Sequence, residues 1–160
     1  MQAIIRQATE RDVSAIQHVA RTSWKSTYEG IIPEEVQNRF LAEAYSDQNM
    51  EKRLAHSVVF VAEQKGQVVG FANFSPNHNG KRELGAIYLL PAYQGKGIGT
   101  SLLEKGLQEF QELQELYINV EKDNEIGMHF YQAKGFEVSS QFDDDFDGHI
   151  LKTVRMVLKK

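Results

Sequence analysis

Hydrophobic positions along the chain alternate between two spacings, and the changes of spacing mark out its elements. Residues 3–7 open with Ala3, Ile4 and Ile5 and read as a short strand. Thr9-Glu10-Arg11-Asp12 has the Ser/Thr-x-x-acid form of a helix start. Val13, Ile16, Val19, Ala20 and Trp24 then follow at helical steps and share one face. Gly30 ends that region, and Pro33 opens a second helix that turns Val36, Phe40 and Leu41 to one side. A third helical turn is expected over 49–55.

From Val58 the period shortens. Residues 58–62 are rich in β-branched side chains, a turn spans 64–67, and 68–74 returns as the partner of an antiparallel hairpin. The turn formers of 75–80 lead to a strand over 83–90, which Pro91 stops. Ile98, Leu102, Leu103, Leu107 and Phe110 form one helical face, 116–120 a strand, and 124–134 a short helix closed by Gly135. Strands over 136–142 and 150–158 finish the chain, with an acidic loop of Asp143, Asp144, Asp145 and Asp147 between them. Two strand–helix–strand units imply parallel pairing and the hairpins imply antiparallel pairing. The expected fold is α/β: a mixed sheet of about seven strands flanked by about four helices.

Composition narrows the function classes. With 160 residues, a single domain over 1–160 is expected. The net charge of −4, from 18 basic and 22 acidic side chains, argues against a nucleic-acid partner. No cysteine is present, which excludes a thiol nucleophile and a Cys-ligated metal, and the five histidines show no ligand spacing. No stretch approaches the ~20 apolar residues of a membrane span, so a soluble, cytoplasmic protein without a membrane partner or a metal is expected. A homodimer is among the assemblies left open.

The stretch between Pro91 and Leu103 carries the most chemistry. Gly95, Gly97 and Gly99 at alternate positions let backbone N–H groups converge, and the helix they open adds four unpaired N–H groups and the positive end of its dipole. Lys96 adds charge to an anion site suited to phosphates. The dinucleotide fingerprint and the P-loop both fail on spacing, because Thr100 stands where each needs a glycine.

Gln94-Gly95-Lys96-Gly97-Ile98-Gly99 resembles the Q/R-x-x-G-x-G/A motif with which GNAT-type N-acetyltransferases cradle the pyrophosphate of acetyl-CoA. Asn124, Phe130-Tyr131 and Gly135-Phe136 resemble that family's N…FY…GF signature, and the element order is similar over essentially the whole chain. The resemblance implies transfer of the acetyl group of acetyl-CoA to a primary amine of a small molecule, for example a polyamine, or of a peptide, by direct attack. It places the pantetheine arm along the backbone near Ile87 and Leu89, beside Asn124, and the pyrophosphate on the N–H groups from Gln94 to Thr100. It makes Tyr131 the general acid to the departing thiolate and Glu83 the general base. It sets Trp24 and Tyr28 at the acceptor, where the acidic loop would attract a cation. The competing reading is a non-catalytic acetyl-CoA-binding regulatory module.

Overall fold

The computed structural model describes residues 2–160. Seven strands form one sheet in the order β1-β2-β3-β4-β5-β7-β6. They are β1 Ile4–Gln7, β2 Val58–Gln64, β3 Gln67–Phe74, β4 Lys81–Leu89, β5 Glu115–Glu121, β6 Glu137–Phe146 and β7 His149–Lys159. The helices are α1 Val13–Tyr28, α2 Glu34–Ala44, α3 Asp47–His56, α4 Ile98–Glu109 and α5 Glu125–Ala133.

Five α-helices therefore stand where about four were expected, because α3 is a full helix. Ser46 starts it by accepting the Asn49 N–H at 3.1 Å, and Met50 anchors it in the core with no exposed surface. The acidic segment also differs from expectation. Asp143–Asp145 belong to β6, and the connection to β7 is the two-residue turn Asp147-Gly148, both at positive φ. An Asp-Gly pair satisfies that geometry with little strain, so the hairpin closes later than the clustered carboxylates imply. Asp145 accepts the Gly148 N–H at 2.9 Å, Arg39 holds Asp147, and Lys152 faces Asp143 across the strands.

β3 is buried on both faces, which accounts for its nearly continuous apolar run. On one side Phe71 meets Tyr45 and Tyr88 edge-on; on the other Phe74 packs against α4. Ile16, Val19 and Ala20 of α1 and Leu102 and Leu103 of α4 are buried at 0–1% exposure. Each such Ile, Val or Leu side chain contributes about 1.5–3 kcal/mol by leaving water, and the Ala20 methyl about 0.8 kcal/mol.

One feature of the sheet positions the site. Every strand pair is antiparallel except β4 with β5. That parallel ladder has only three steps, from Lys81↔Glu115 to Glu83↔Tyr117. Beyond Glu83, β4 stays paired with β3 as far as Leu89, while β5 stays paired with β7 as far as Glu121. The two central strands therefore part, and a wedge-shaped gap opens at their C-terminal ends.

Candidate active site

The gap is the mouth of a cleft of about 530 Å³. Its walls are β4 from Leu84 to Leu89, the end of β5, the last two turns of α1 and the first turns of α4 and α5. Such a position, at the carboxyl ends of strands that diverge, is where α/β sheets bind ligands.

One end of the cleft is the glycine-rich turn. Gly95 (φ +74°) and Gly97 (φ +83°) have the left-handed backbone that favours glycine, and a Cβ at either would point into open space. The Gln94 N–H reaches Pro91 O and the Ser101 N–H reaches Gly97 O, whereas the N–H groups of Gly95, Gly97, Gly99 and Thr100 between them meet no acceptor among the described residues. Four free donors at the N-terminus of α4, on residues that line the cavity, fit a pyrophosphate. Gly99 allows close approach of α5, with Phe130 Cε1 3.4 Å from its Cβ position.

The other end is aromatic and hydroxylic. Tyr28 from α1, Tyr88 from β4 and Tyr131 from α5 all line it, joined by Ser23, Ser26 and Thr27. Burial raises all three phenols, Tyr28 most sharply; the neighbouring tyrosines add to the effect at Tyr28 and Tyr131. A phenol held above its ordinary range stays protonated and can donate. Tyr131 is fixed edge-on between Phe130 and Phe136, with ring centroids 5.3 and 5.4 Å away. Asn124 caps α5, its Oδ1 accepting the Gly127 N–H at 3.0 Å, and its amide offsets part of the upward shift of the Tyr28 phenol.

Ten of the thirteen residues singled out from the sequence line this cleft: Tyr28, Ile87, Leu89, Gln94, Gly95, Gly97, Gly99, Thr100, Asn124 and Tyr131. Three do not. Lys96 leans towards the ring of half-buried Tyr93 at 5.7 Å. Trp24 is 6% exposed, clustered with Phe40 and Phe146, and its ring packs against that of Tyr28 at 4.6 Å. Glu83 lies where β4 and β5 are still paired and is bound to Arg155 at 2.6 Å. The Tyr88 and Ser23 side chains were not singled out, and Ser26 and Thr27 entered only as part of the segment 24–32 that the resemblance sets at the acceptor; the i, i+3, i+4 spacing of Ser23, Ser26 and Thr27, which sets all three on one face, is the signal for them.

Comparison with known proteins agrees with this geometry. The profile of the Acetyltransferase (GNAT) family matches residues 21–136. A spermidine N(1)-acetyltransferase of Thermoplasma acidophilum is 31% identical over 150 residues, spanning 89% of this chain and 92% of its own. YuaI of Bacillus subtilis, an uncharacterized N-acetyltransferase, is 33% identical over 94% of this chain and 89% of its own. Among solved structures, the PaiA N-acetyltransferase of Thermoplasma acidophilum in complex with coenzyme A superimposes with a TM-score of 0.87, at 29% identity over the whole of both chains.

Proposed function

The chain belongs to the GNAT family of acetyltransferases and uses acetyl-CoA, and on that premise we propose that its acceptor is a primary amine of a small polyamine-like molecule, with Tyr131 as the general acid. The observation that carries this reading is the cleft itself: four unpartnered N–H groups at one end and, at the other, a phenol held between two rings whose burial favours the protonated form.

Acetyl-CoA supplies an activated thioester, so the protein needs no acyl-enzyme. The turn over 94–100 would hold the pyrophosphate through backbone N–H groups, and the edge of β4 left free beyond Glu83 would pair with the pantetheine amides as an added strand. Asn124 would stand beside that arm. With the amine aligned on the carbonyl, a large part of the barrier is removed as prepaid orientation.

Two proton movements remain. An alkylammonium with a pKa near ~10.4 must lose a proton before it attacks, a cost of roughly 4.6 kcal/mol at neutral pH. Glu83 is engaged by Arg155 and stands below the gap, which favours loss of that proton to water in the open cleft. Collapse of the tetrahedral species then breaks the C–S bond; the Tyr131 hydroxyl gives its proton to the sulfur as it leaves, and the second proton of the attacking nitrogen returns through solvent to Tyr131, leaving a neutral amide. The polyamine class is supported by the names of the relatives and by the acidic surroundings of the tyrosine end, where Asp123 and Glu125 line the cleft.

The test is a free-thiol assay with acetyl-CoA and a panel of spermidine, short diamines, alkylamines and amino acids, beside thermal shifts with acetyl-CoA, ATP and NAD. A stabilising shift with acetyl-CoA alone and thiol release with polyamines are expected. A shift without release on any amine would leave the regulatory-module reading in its place.

A further inference from the structure

Two carboxylates are buried among the described residues, and they are treated in opposite ways. Asp12, 5% exposed, is gripped by Arg6 at 2.8 and 2.9 Å and also accepts the Thr9 N–H. Glu121, 7% exposed, accepts the Asp123 N–H at 2.6 Å but takes part in no ion pair among the described residues. A buried charge with no counter-ion is unfavourable, and proteins seldom keep one without a use for it.

Its place in the fold indicates the use. Glu121 is the last residue of β5, and Val120, Asp123 and Asn124 around it line the cleft. The Tyr28 phenol, which lines the cleft, is near enough for the Glu121 charge to add to the burial that keeps it protonated. His149, the first residue of β7, is near enough to act on the Glu121 charge, and its ring Nε2 is 3.2 Å from Ile31 O in the segment joining α1 and α2. Glu121 thus stands where the cleft, the α1–α2 connection and the β6–β7 hairpin meet. The hairpin carboxylates Asp145 and Asp147 are already committed to the Gly148 N–H and to Arg39. That leaves Glu121 as the buried negative charge beside the tyrosine end still without a cation.

We propose that Glu121 is the missing counter-ion for the acceptor: it binds the second ammonium of a diamine or polyamine and so sets the other amine against the thioester. It is a positioning and specificity residue, and the assignment rests on the amine-acceptor reading above. Desolvation also lifts the Glu121 carboxyl above its ordinary range, as expected of a site in which the charge is completed by a ligand.

The experiment is steady-state kinetics with 1,4-diaminobutane and with butylamine, which lacks the second cation, for the wild type, Glu121→Gln and Glu121→Asp. Glu121→Gln is expected to raise the KM for the diamine ~10-fold or more, with kcat and the butylamine parameters changed less than about twofold. Glu121→Asp, which keeps the charge, should recover part of the loss, and the thermal shift with acetyl-CoA should be equal in all three. A wild type that does not prefer the diamine, or a Glu121→Gln enzyme that loses both amines equally, overturns the assignment. A wild type that binds acetyl-CoA but acetylates neither amine overturns the amine-acceptor reading itself.

Discussion

Gly106 on α4 lies directly over the ring of Phe74 on β3, so that a Cβ built on it would stand 2.4 Å from Phe74 Cζ. Phe74 is fully buried and wedged against Phe60 and Phe110, with no room to withdraw. The glycine sets how closely α4 approaches the sheet, and with it where the glycine-rich turn presents its N–H groups. Gly106→Ala should lose about 1–3 kcal/mol in urea unfolding despite the better helix propensity of alanine. A variant of unchanged or higher stability would show that α4 can slide.

Tyr131→Phe keeps the ring between Phe130 and Phe136 and removes only the hydroxyl. We expect kcat to fall ~10²–10⁴-fold while melting temperature and the acetyl-CoA shift hold. Because burial raises the wild-type phenol, its kcat should show no alkaline decline from Tyr131 up to about pH 10. Single-turnover thiol release over a pH series reads both.

Gly95 and Gly66 share a positive φ and open space beyond the Cα, but only Gly95 faces the cleft. Alanine at either should cost about 1–2 kcal/mol of stability through the left-handed backbone. Gly95→Ala should in addition weaken acetyl-CoA binding about tenfold or more, since its methyl group fills the space over the free N–H groups. Calorimetric titration of both variants separates strain from site. Equal affinity in the two would mean that the pyrophosphate sits elsewhere.

The two buried carboxylates predict opposite responses to pH. The Arg6 hydrogen bonds hold the Asp12 carboxyl below its ordinary range, so its contribution to stability is complete above pH ~4 and is lost as pH falls through the folded value. For Glu121 the displacement is upward: burial is the largest cause and the Asp123 charge adds to it, while the hydrogen bonds from the Asp123 and Asn124 N–H groups and the nearby His149 oppose it. Its contribution is complete below pH ~4 and lost as pH rises through the folded value. Asp12→Asn should therefore lower the melting temperature near pH 7 and lose that effect in acid. Glu121→Gln, whose amide oxygen can still accept the Asp123 N–H, should raise it near pH 7 and leave it unchanged near pH 4. Thermal melts over that range decide, and a Glu121→Gln protein weaker at neutral pH would mark Glu121 as a structural acceptor.

What could be read from the chain was local. Alternate glycines after a strand, or Phe130-Tyr131 on a short helix, announce their geometry within a few residues, and both stand in the cleft. The sheet was legible for the same reason, strand by strand. The hairpin after Phe142 was misjudged because Asp143–Asp145 are turn formers by habit, yet pairing with β7 carries them into the strand until Asp147-Gly148 turns the chain. Trp24 and Glu83 sit near the site in sequence order but are drawn away by tertiary partners, Phe40 and Phe146 for the one and Arg155 for the other. Glu121 gives no local sign at all. A carboxylate after Val120 reads as a solvated strand end until the third dimension buries it.

The early parting of β4 and β5 has a consequence for the life of the protein outside the reaction. Past Glu83 the middle of the sheet is an unfinished seam, and a ligand lying in it would close the seam as an extra strand. The amides along that seam should exchange with solvent quickly in the empty protein and slowly in the filled one. Occupancy at 100 times Kd would add about 2.7 kcal/mol to the folded state, enough to slow degradation that proceeds through the unfolded chain. The abundance of the enzyme in a cell would then follow the acetyl-CoA supply through simple mass action, with no separate regulatory site.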